Sequence, residues 1–364
     1  MFLNSATTAQ ESPAKSSGDA RSDREQARAA FEAKFTEWKA GFKALRQFQH
    51  DYQEAEDGKH EGLVRQWEET MVRMTSILDE LTVLGGEAYR TDPGSDRELT
   101  VWLVKRLKDL VSHDQYEQAA TLGNILIENG CDDPTVFQEA GMANFSVHNF
   151  DKTLALLDKA VEANATTGDV SFLRKSVEEN QKLWVTEEKL RAAEAKADDL
   201  PRVKLTTDRG EIVIELYENE APETVGNFIH LVKKGFYDGL TFHRVIAGFM
   251  AQAGCPDGDG TGGPGYNIHD ECKKPNARMH FRGSLSMAKT IAADSGGSQF
   301  FITFRPTENL NTIHTVFGRV IEGIDVVTKL KRRDPEKEDP PEPDKIIKAE
   351  VIRDRGHEYL PNKV

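Results

Sequence analysis

The 364-residue sequence predicts a multidomain chain, all-α in its first half and mainly β in its second. Three observations carry that expectation. Apolar residues recur every three or four positions from about Asp23 to Ala197, the period of helices packed along one face. After Pro201 the pattern changes to alternating runs punctuated by glycine turns, the period of strands. All four tryptophans (Trp38, Trp67, Trp102 and Trp184) lie before that boundary. The length is ample for two cores.

Residues 1–22 are rich in Ser, Ala, Thr and charge and have little to bury, so a disordered lead-in is expected. Phe31, Phe35, Trp38, Phe42, Leu45 and Tyr52 form one helical stripe, and Leu63, Trp67, Met71, Met74, Leu78 and Leu81 a second. Together they predict a long helical hairpin over 23–95, with Gly85-Gly86 as the stop of its second helix. The stripes read as packing faces rather than an aromatic ligand box.

A weak internal repeat occupies the helical region 96–198. Tyr116-Glu-Gln-Ala119 and Phe150-Asp-Lys-Thr153 lie 34 residues apart, and each follows a short turn, Ser112-His113-Asp114 or Val147-His148-Asn149. Each should open a helix. The period is that of a tetratricopeptide helix pair. Phe137, Ala140, Gly141 and Asn144 resemble the aromatic, small and polar positions of that repeat, Asp133-Pro134 supplies its turn, and Gly123 and Thr153 are weak versions of its small residues. A generic helical bundle fits the same stretch. One more helix is expected over 171–197, stopped by Asp198-Asp199-Leu200-Pro201. Beyond it, Val203 to Leu216 reads as a hairpin around Gly210, and helix signals return only at Glu223–Lys234 and Glu322–Lys331.

A formal net charge of −14 argues against nucleic acid and anionic membrane surfaces as partners. No apolar stretch is long enough to span a membrane. Met1 to Gln10 has neither the basic end nor the apolar run of a secretory signal, and Cys131, Cys255 and Cys272 lack C-x-x-C spacing. A cytoplasmic location is therefore expected; the alternative is export, if Ser5–Ala9 is the tail of a longer signal.

The segment Phe242-His243-Arg244-Val245, then Gly248-Phe249-Met250-Ala251-Gln252, then Gly297-Ser298-Gln299-Phe300-Phe301, brings together a fixed cation, a carboxamide and apolar side chains. It holds no nucleophile, acid–base pair or metal cluster, which suits a reaction that makes and breaks no bond. Rotation about an X–Pro bond is such a reaction, opposed by amide resonance worth about 18–20 kcal/mol. A donor aimed at the prolyl nitrogen favours the twisted amide, because that lone pair is free only when resonance is lost. Arg244, always protonated and donor-only, suits that role, and Gln252 can donate to the substrate carbonyl. Phe249, Met250, Phe301 and Leu310 would wall the proline ring, and His314 serves as wall and hydrogen-bond partner, since no proton moves. No cofactor or metal is required. Taken alone, Arg244 would more ordinarily sit on a salt bridge. In the pair Phe300-Phe301, strand alternation sends the first to the core and the second to the pocket.

Rival motifs fail on context. Gly258-x-Gly260-x-x-Gly263 is followed by Pro264-Gly265 rather than a helix, so it is no dinucleotide fingerprint. Asp257-x-Asp259-x-Thr261-Gly262 meets Ile268 where a calcium loop needs Glu. His269, Cys272 and His280 are too loose for zinc, and Ser284 and Ser286 have no His–Asp partners implied.

Ordered matches run through Gly235-Phe-Tyr-Asp-Gly-Leu-Thr-Phe-His-Arg-Val-Ile, Gly-Phe-Met-Ala-Gln, Gly260-Thr-Gly-Gly-Pro-Gly-Tyr, Leu285-Ser-Met-Ala288, Gly297-Ser-Gln-Phe-Phe-Ile and His314-Thr-Val-Phe-Gly318. Over about 150 residues, Val203 to Arg353, the sequence resembles the cyclophilin family of peptidyl-prolyl cis–trans isomerases. The resemblance implies a closed antiparallel eight-stranded barrel with two helices over 202–356, followed by a tail at 357–364. It implies catalytic roles for Arg244, Phe249, Met250, Gln252, Phe301 and His314. It implies substrate-binding positions at His243, Gly260, Ala288, Lys289, Gln299, Asn309 and Leu310. Proline-containing polypeptides are the implied clients, and the helical half is expected to bind a protein partner. Three departures stand out. Asn309 replaces a tryptophan that helps many members bind cyclosporin, so the resemblance does not extend to inhibition by that drug. Lys289 replaces an asparagine that acts through its backbone, and Cys272 takes an aromatic position. Arg332–Lys345, with four prolines, reads as an exposed charged loop without chemistry.

Overall fold

A computed structural model describes residues 17–56, 58–166 and 170–364. Residues 1–16 of the expected lead-in lie outside these; from Ser17 the chain is helical. The chain forms two compact units, one of residues up to Arg106 together with Asn124–Asp132, the other of Leu107–Gly123 with Asp133–Val364.

In the first unit, α1 (Ser17–Glu54) and α2 (His60–Thr91) form the expected hairpin. Its antiparallel pairing shows in Lys34–Glu80 at 2.7 Å and Glu37–Arg73 at 2.6 Å. Gly85-Gly86 does not stop α2, which runs on to Thr91. The glycines serve close approach instead: a Cβ on Gly85 would meet Leu103 at 3.0 Å and Phe31 and Trp102 at 3.2 Å. Phe31 packs edge-on to Trp102 there, with ring centroids 5.5 Å apart. A helix can absorb the propensity cost of glycine, about 1 kcal/mol, where a partner must come that near.

Four further helices follow: α3 (Arg97–Ser112), α4 (Tyr116–Glu128), α5 (Thr135–Ser146) and α6 (Phe150–Glu162). α4 and α6 open at the two residues expected from the repeat. Each of the four closes in the same way, with a left-handed residue (Asp114, Gly130, His148, Asn164) followed by an N–H that reaches back five residues. These bonds are Gln115 to Leu110 (2.9 Å), Cys131 to Leu126 (2.9 Å), Asn149 to Asn144 (2.8 Å) and Ala165 to Ala160 (2.8 Å). Corresponding ends are again 34 residues apart, so the repeat is one of backbone geometry as well as of side chains. Gly123 lets α4 approach α5, since a Cβ there would fall 2.6 Å from that of Ala140. α7 (Val170–Ala197) then leads to the sheet.

The sheet is antiparallel throughout, with eight strands in the order β3-β4-β6-β5-β7-β2-β1-β8. The strands are β1 (Arg202–Thr207), β2 (Gly210–Leu216), β3 (Arg244–Ile246), β4 (Met250–Ala253), β5 (Ser284–Met287), β6 (Phe300–Thr303), β7 (Val316–Glu322) and β8 (Ile346–Arg353). β3 and β8 share no ladder: the sheet curls into a half-barrel whose edges are spanned by single bridges, Thr241 to Lys345 and Val245 to Arg333. α8 (Pro222–Lys233) puts Phe228 into the core against Tyr237, Phe300 and Phe317, at 5.1, 5.6 and 5.3 Å. The second helix of the barrel, α9, is confined to Ile324–Thr328.

Two segments read as peripheral turn out to be structural. In the loop 332–345, Asp344 is buried and accepts from Arg209 (2.9 Å) and the Lys331 N–H (2.6 Å). In the tail, Tyr359 is buried and Lys363 bridges Ile268.

α7 is fastened to the barrel by charge. Arg278 donates to both oxygens of Glu187 (2.9 and 2.8 Å), reaches Glu194, and lies 3.7 Å over the Tyr217 ring. Burial pushes the Glu187 carboxyl up, but Arg278 and Arg191 (2.7 Å) together outweigh this and hold it below the usual range.

Candidate functional site

The register of β3 against β4 sets Arg244 opposite Gln252, and β6 sets Phe301 opposite Gln252 on the other side. Alternation then puts Arg244, Gln252 and Phe301 on one face of three adjacent strands. Phe300, one residue earlier, is fully buried in the core. Over that face opens a cavity of about 830 Å³, lined by Arg244, Phe249, Met250, Gln252, Phe301, Leu310 and His314. Gly260, Ala288, Lys289 and Gln299 also line it.

Arg244 has no hydrogen-bond or ion-pair partner among the described residues, and its guanidinium carbon stands 5.9 Å from the centre of the Phe249 ring. It is not a strand arginine spent on a salt bridge. Gln252 is held by a relay: its amide donates to Gln299 Oε1 (2.9 Å), and Gln299 in turn donates to the carbonyls of Gly260 (2.8 Å) and Gly262 (2.9 Å). One N–H of Gln252 remains for a ligand.

The His314 Nδ1 proton goes to the Met287 carbonyl at 2.9 Å, which fixes the tautomer and leaves Nε2 as an acceptor. Burial lowers its pKa, only partly offset by that bond. Phe301 is gripped between His314, edge-on at 5.4 Å, and His280, parallel at 5.9 Å. His280 is buried, donates from Nδ1 to Asn311 Oδ1 (3.0 Å) and shares the Ser286 hydroxyl (2.9 Å). Burial brings its pKa down to about 4, so it is a neutral wall.

Three expected positions differ in detail. His243 does not line the cavity: alternation turns it inward, where it is buried behind Gly260, and a Cβ on that glycine would lie 3.6 Å from its Nε2. Asn309 lines a neighbouring cavity instead. Lys289 lines the cavity with its ammonium tied to Asp270 at 3.1 Å and to the Ala292 carbonyl at 3.0 Å.

The helical elements of the same unit also hold the site, which motif reading missed. Asp114, the left-handed turn residue before α4, is fully buried. It accepts from the Gly248 N–H (2.7 Å), the Tyr116 hydroxyl (2.9 Å) and Arg332 (2.7 Å). Gly248 is the neighbour of Phe249 in the β3–β4 turn. One repeat later, His148 Nε2 accepts from the Arg282 N–H (3.2 Å), whose side chain forks onto Glu117 at 2.8 Å through two nitrogens. On α7, Ser176 and Asn180 donate to Glu308, in the short turn that carries Leu310. The signal available in the sequence was the turn pair Asp114 and His148, 34 residues apart, in positions the repeat leaves unspecified.

Residues 202–351 match the family model for cyclophilin-type peptidyl-prolyl cis–trans isomerases. A peptidyl-prolyl cis–trans isomerase of Helicobacter pylori is 47% identical over 150 residues, which are 40% of this chain and 91% of that protein. The chain belongs to the cyclophilin-type peptidyl-prolyl cis–trans isomerase family. Peptidyl-prolyl cis–trans isomerase B of Bacillus subtilis is 52% identical over 134 residues, 37% of this chain and 92% of that one. A cyclophilin-type isomerase of Cryptosporidium parvum, known as a crystal structure, is 31% identical, with a TM-score of 0.39, over 42% of this chain and 97% of its own. The cyclophilin-type domain is thus a peptidyl-prolyl isomerase module, and the family acts on proline-containing polypeptides. Among the described residues no helix is long and apolar enough to cross a membrane.

Proposed function

We propose that the cavity over β3, β4 and β6 is the prolyl site, and that Arg244 drives isomerisation by donating to the prolyl nitrogen as the amide twists. The observation that carries this is the free guanidinium of Arg244 beside the Phe249 ring. A strongly basic fork left without a protein partner at an apolar wall is a donor kept for a ligand. Phe249, Met250, Phe301 and Leu310 take the pyrrolidine ring and exclude water, which strengthens the Arg244 bond where the lone pair develops. Gln252, oriented by Gln299, holds the carbonyl of the residue before proline. The neutral His314 shapes the wall, and no proton is transferred.

The helix pairs α3/α4 and α5/α6 act as tetratricopeptide-like units that engage protein partners, and the shared closing turns at 34-residue spacing support that reading. The test of the site is cis–trans exchange of an Ala-Pro-Phe peptide, followed by NMR with the full chain and its Arg244→Ala variant. The parent should accelerate exchange, and the variant should lose most of that, by about 10²-fold or more as for a lost transition-state donor. Full activity in the variant would remove Arg244 from the mechanism.

A further inference from the structure

A second cavity, of about 530 Å³, opens beside the prolyl site and shares Phe249 with it. Its walls are largely apolar and come from α5, α6 and α7: Phe137, Met142, Phe145, Leu157 and Val177. Volumes of about 300–1,000 Å³ with few polar groups are those of pockets that enclose small ligands and side chains. Asn309 lines this cavity while its neighbour Leu310 lines the prolyl site, so the two cavities meet at Phe249 and at this short turn. Arg305 also lines it, and its polar partner among the described residues is the Met142 sulfur at 3.4 Å, a weak acceptor.

The direction of a bound chain follows from the prolyl site. Gln252 serves the carbonyl that precedes the prolyl nitrogen, and along β4 it lies away from Phe249, beyond Met250. The client residues before proline therefore occupy the Gln252 end, and those after it pass Phe249 toward the second cavity. We propose that this cavity binds the client segment immediately following the proline, taking one large apolar side chain while Arg305 meets a backbone carbonyl or carboxylate beside it. The inference rests on the prolyl-site assignment for its chain direction. It makes the helical repeats part of the substrate site, with selectivity for clients that carry an apolar residue downstream of the proline.

The test uses the full chain and alanine-based peptides with one central proline: an all-alanine parent, and four derivatives with a single Leu at each of the four positions after proline. Binding is measured by calorimetry. At one of these positions Leu should tighten binding about tenfold, within what burying one such side chain supplies. Gly141 lines the cavity in the middle of α5, and a Cβ there has its nearest neighbour, Leu156, at 3.8 Å. Gly141→Leu fills the space with a better helix former, and it should bring the Leu-to-Ala binding ratio close to one. As a measurement independent of that variant, the Met142 methyl resonance should move with the preferred Leu peptide and stay in place with the all-alanine one. Ratios within twofold at every position, a preference that persists in Gly141→Leu, or an unmoved Met142 methyl would each overturn the proposal. Failure of the prolyl-site reading shows separately, as absence of exchange acceleration for the all-alanine peptide.

Discussion

Replacing Asp114 by alanine should destabilise the full chain and weaken catalysis, although Asp114 lies far from the motif in sequence. Its carboxylate is fully buried and accepts from Gly248, Tyr116 and Arg332 at 2.7, 2.9 and 2.7 Å. Arg332 is only partly buried and keeps the carbonyls of Thr328, Leu330 and His113, so the loss falls mainly on the Tyr116 hydroxyl and the Gly248 N–H, which are left without their acceptor at about 1–3 kcal/mol each. Asp114 also sits at φ +62°, where alanine lacks the local hydrogen bonding that makes Asp tolerable, adding about 1 kcal/mol. The expected loss is therefore about 3 kcal/mol or more. Asp114→Asn keeps an acceptor oxygen and the left-handed turn while losing the charge, and should cost about 1.5–3 kcal/mol. Urea unfolding followed by far-UV circular dichroism gives both values. Because Gly248 and Phe249 share one turn, the alanine variant should also lower kcat/KM severalfold under conditions where it is folded. A loss of under about 1 kcal/mol in the alanine variant would refute the reasoning, since a carboxylate so cheaply removed is not holding the arginine or the turn.

Arg278→Met leaves Glu187 paired with Arg191 (2.7 Å) and Glu194 with the longer contact to Arg319 (3.7 Å), and should cost about 2–4 kcal/mol by the same measurement, while adding Glu187→Gln should recover part of it. His280 should make the barrel acid-sensitive. Its folded pKa, about 4, lies below the ordinary value of 6.5, so the unfolded chain binds the proton first as pH falls. The contribution is complete above pH 6.5 and declines between 6.5 and 4, by about 3 kcal/mol in total, which a series of thermal melts across that range would show; His280→Gln would reduce the slope without abolishing it, since burial lowers His148, His243 and His314 as well. A flat stability profile in the parent over the same window would place the proton elsewhere.

Much of the fold could be read from period alone. The hairpin helices, the openings of α4 and α6, the bounds of α7 and the first β-hairpin all follow from spacings of three to four or of two, because these positions must face a core whatever that core contains. The cavity residues could be read from motif order, since β3, β4 and β6 are short and alternation fixes which of their side chains share a face. What failed were readings that depend on a neighbour. Gly85-Gly86 carries the mark of a helix stop, yet Phe31, Trp102 and Leu103 need the space it leaves. The loop 332–345 has the composition of solvent-exposed chain, yet Asp344 within it collects two bonds from distant segments.

Periodicity and motif order were therefore sufficient for the class of each half, the isomerase family of the second and the 34-residue helical period, because each depends on residues close in the chain or repeated in a fixed order. The tertiary structure alone decided that the turns of the helical repeats grip the catalytic barrel. Asp114 reaches Gly248, His148 reaches Arg282, and Glu308 is held from α7, across 134, 134 and 132 positions of sequence. No local pattern encodes such contacts: a buried carboxylate and its donors are chosen by where folding places them, and the free energy that selects the pairing exists only once both have left water.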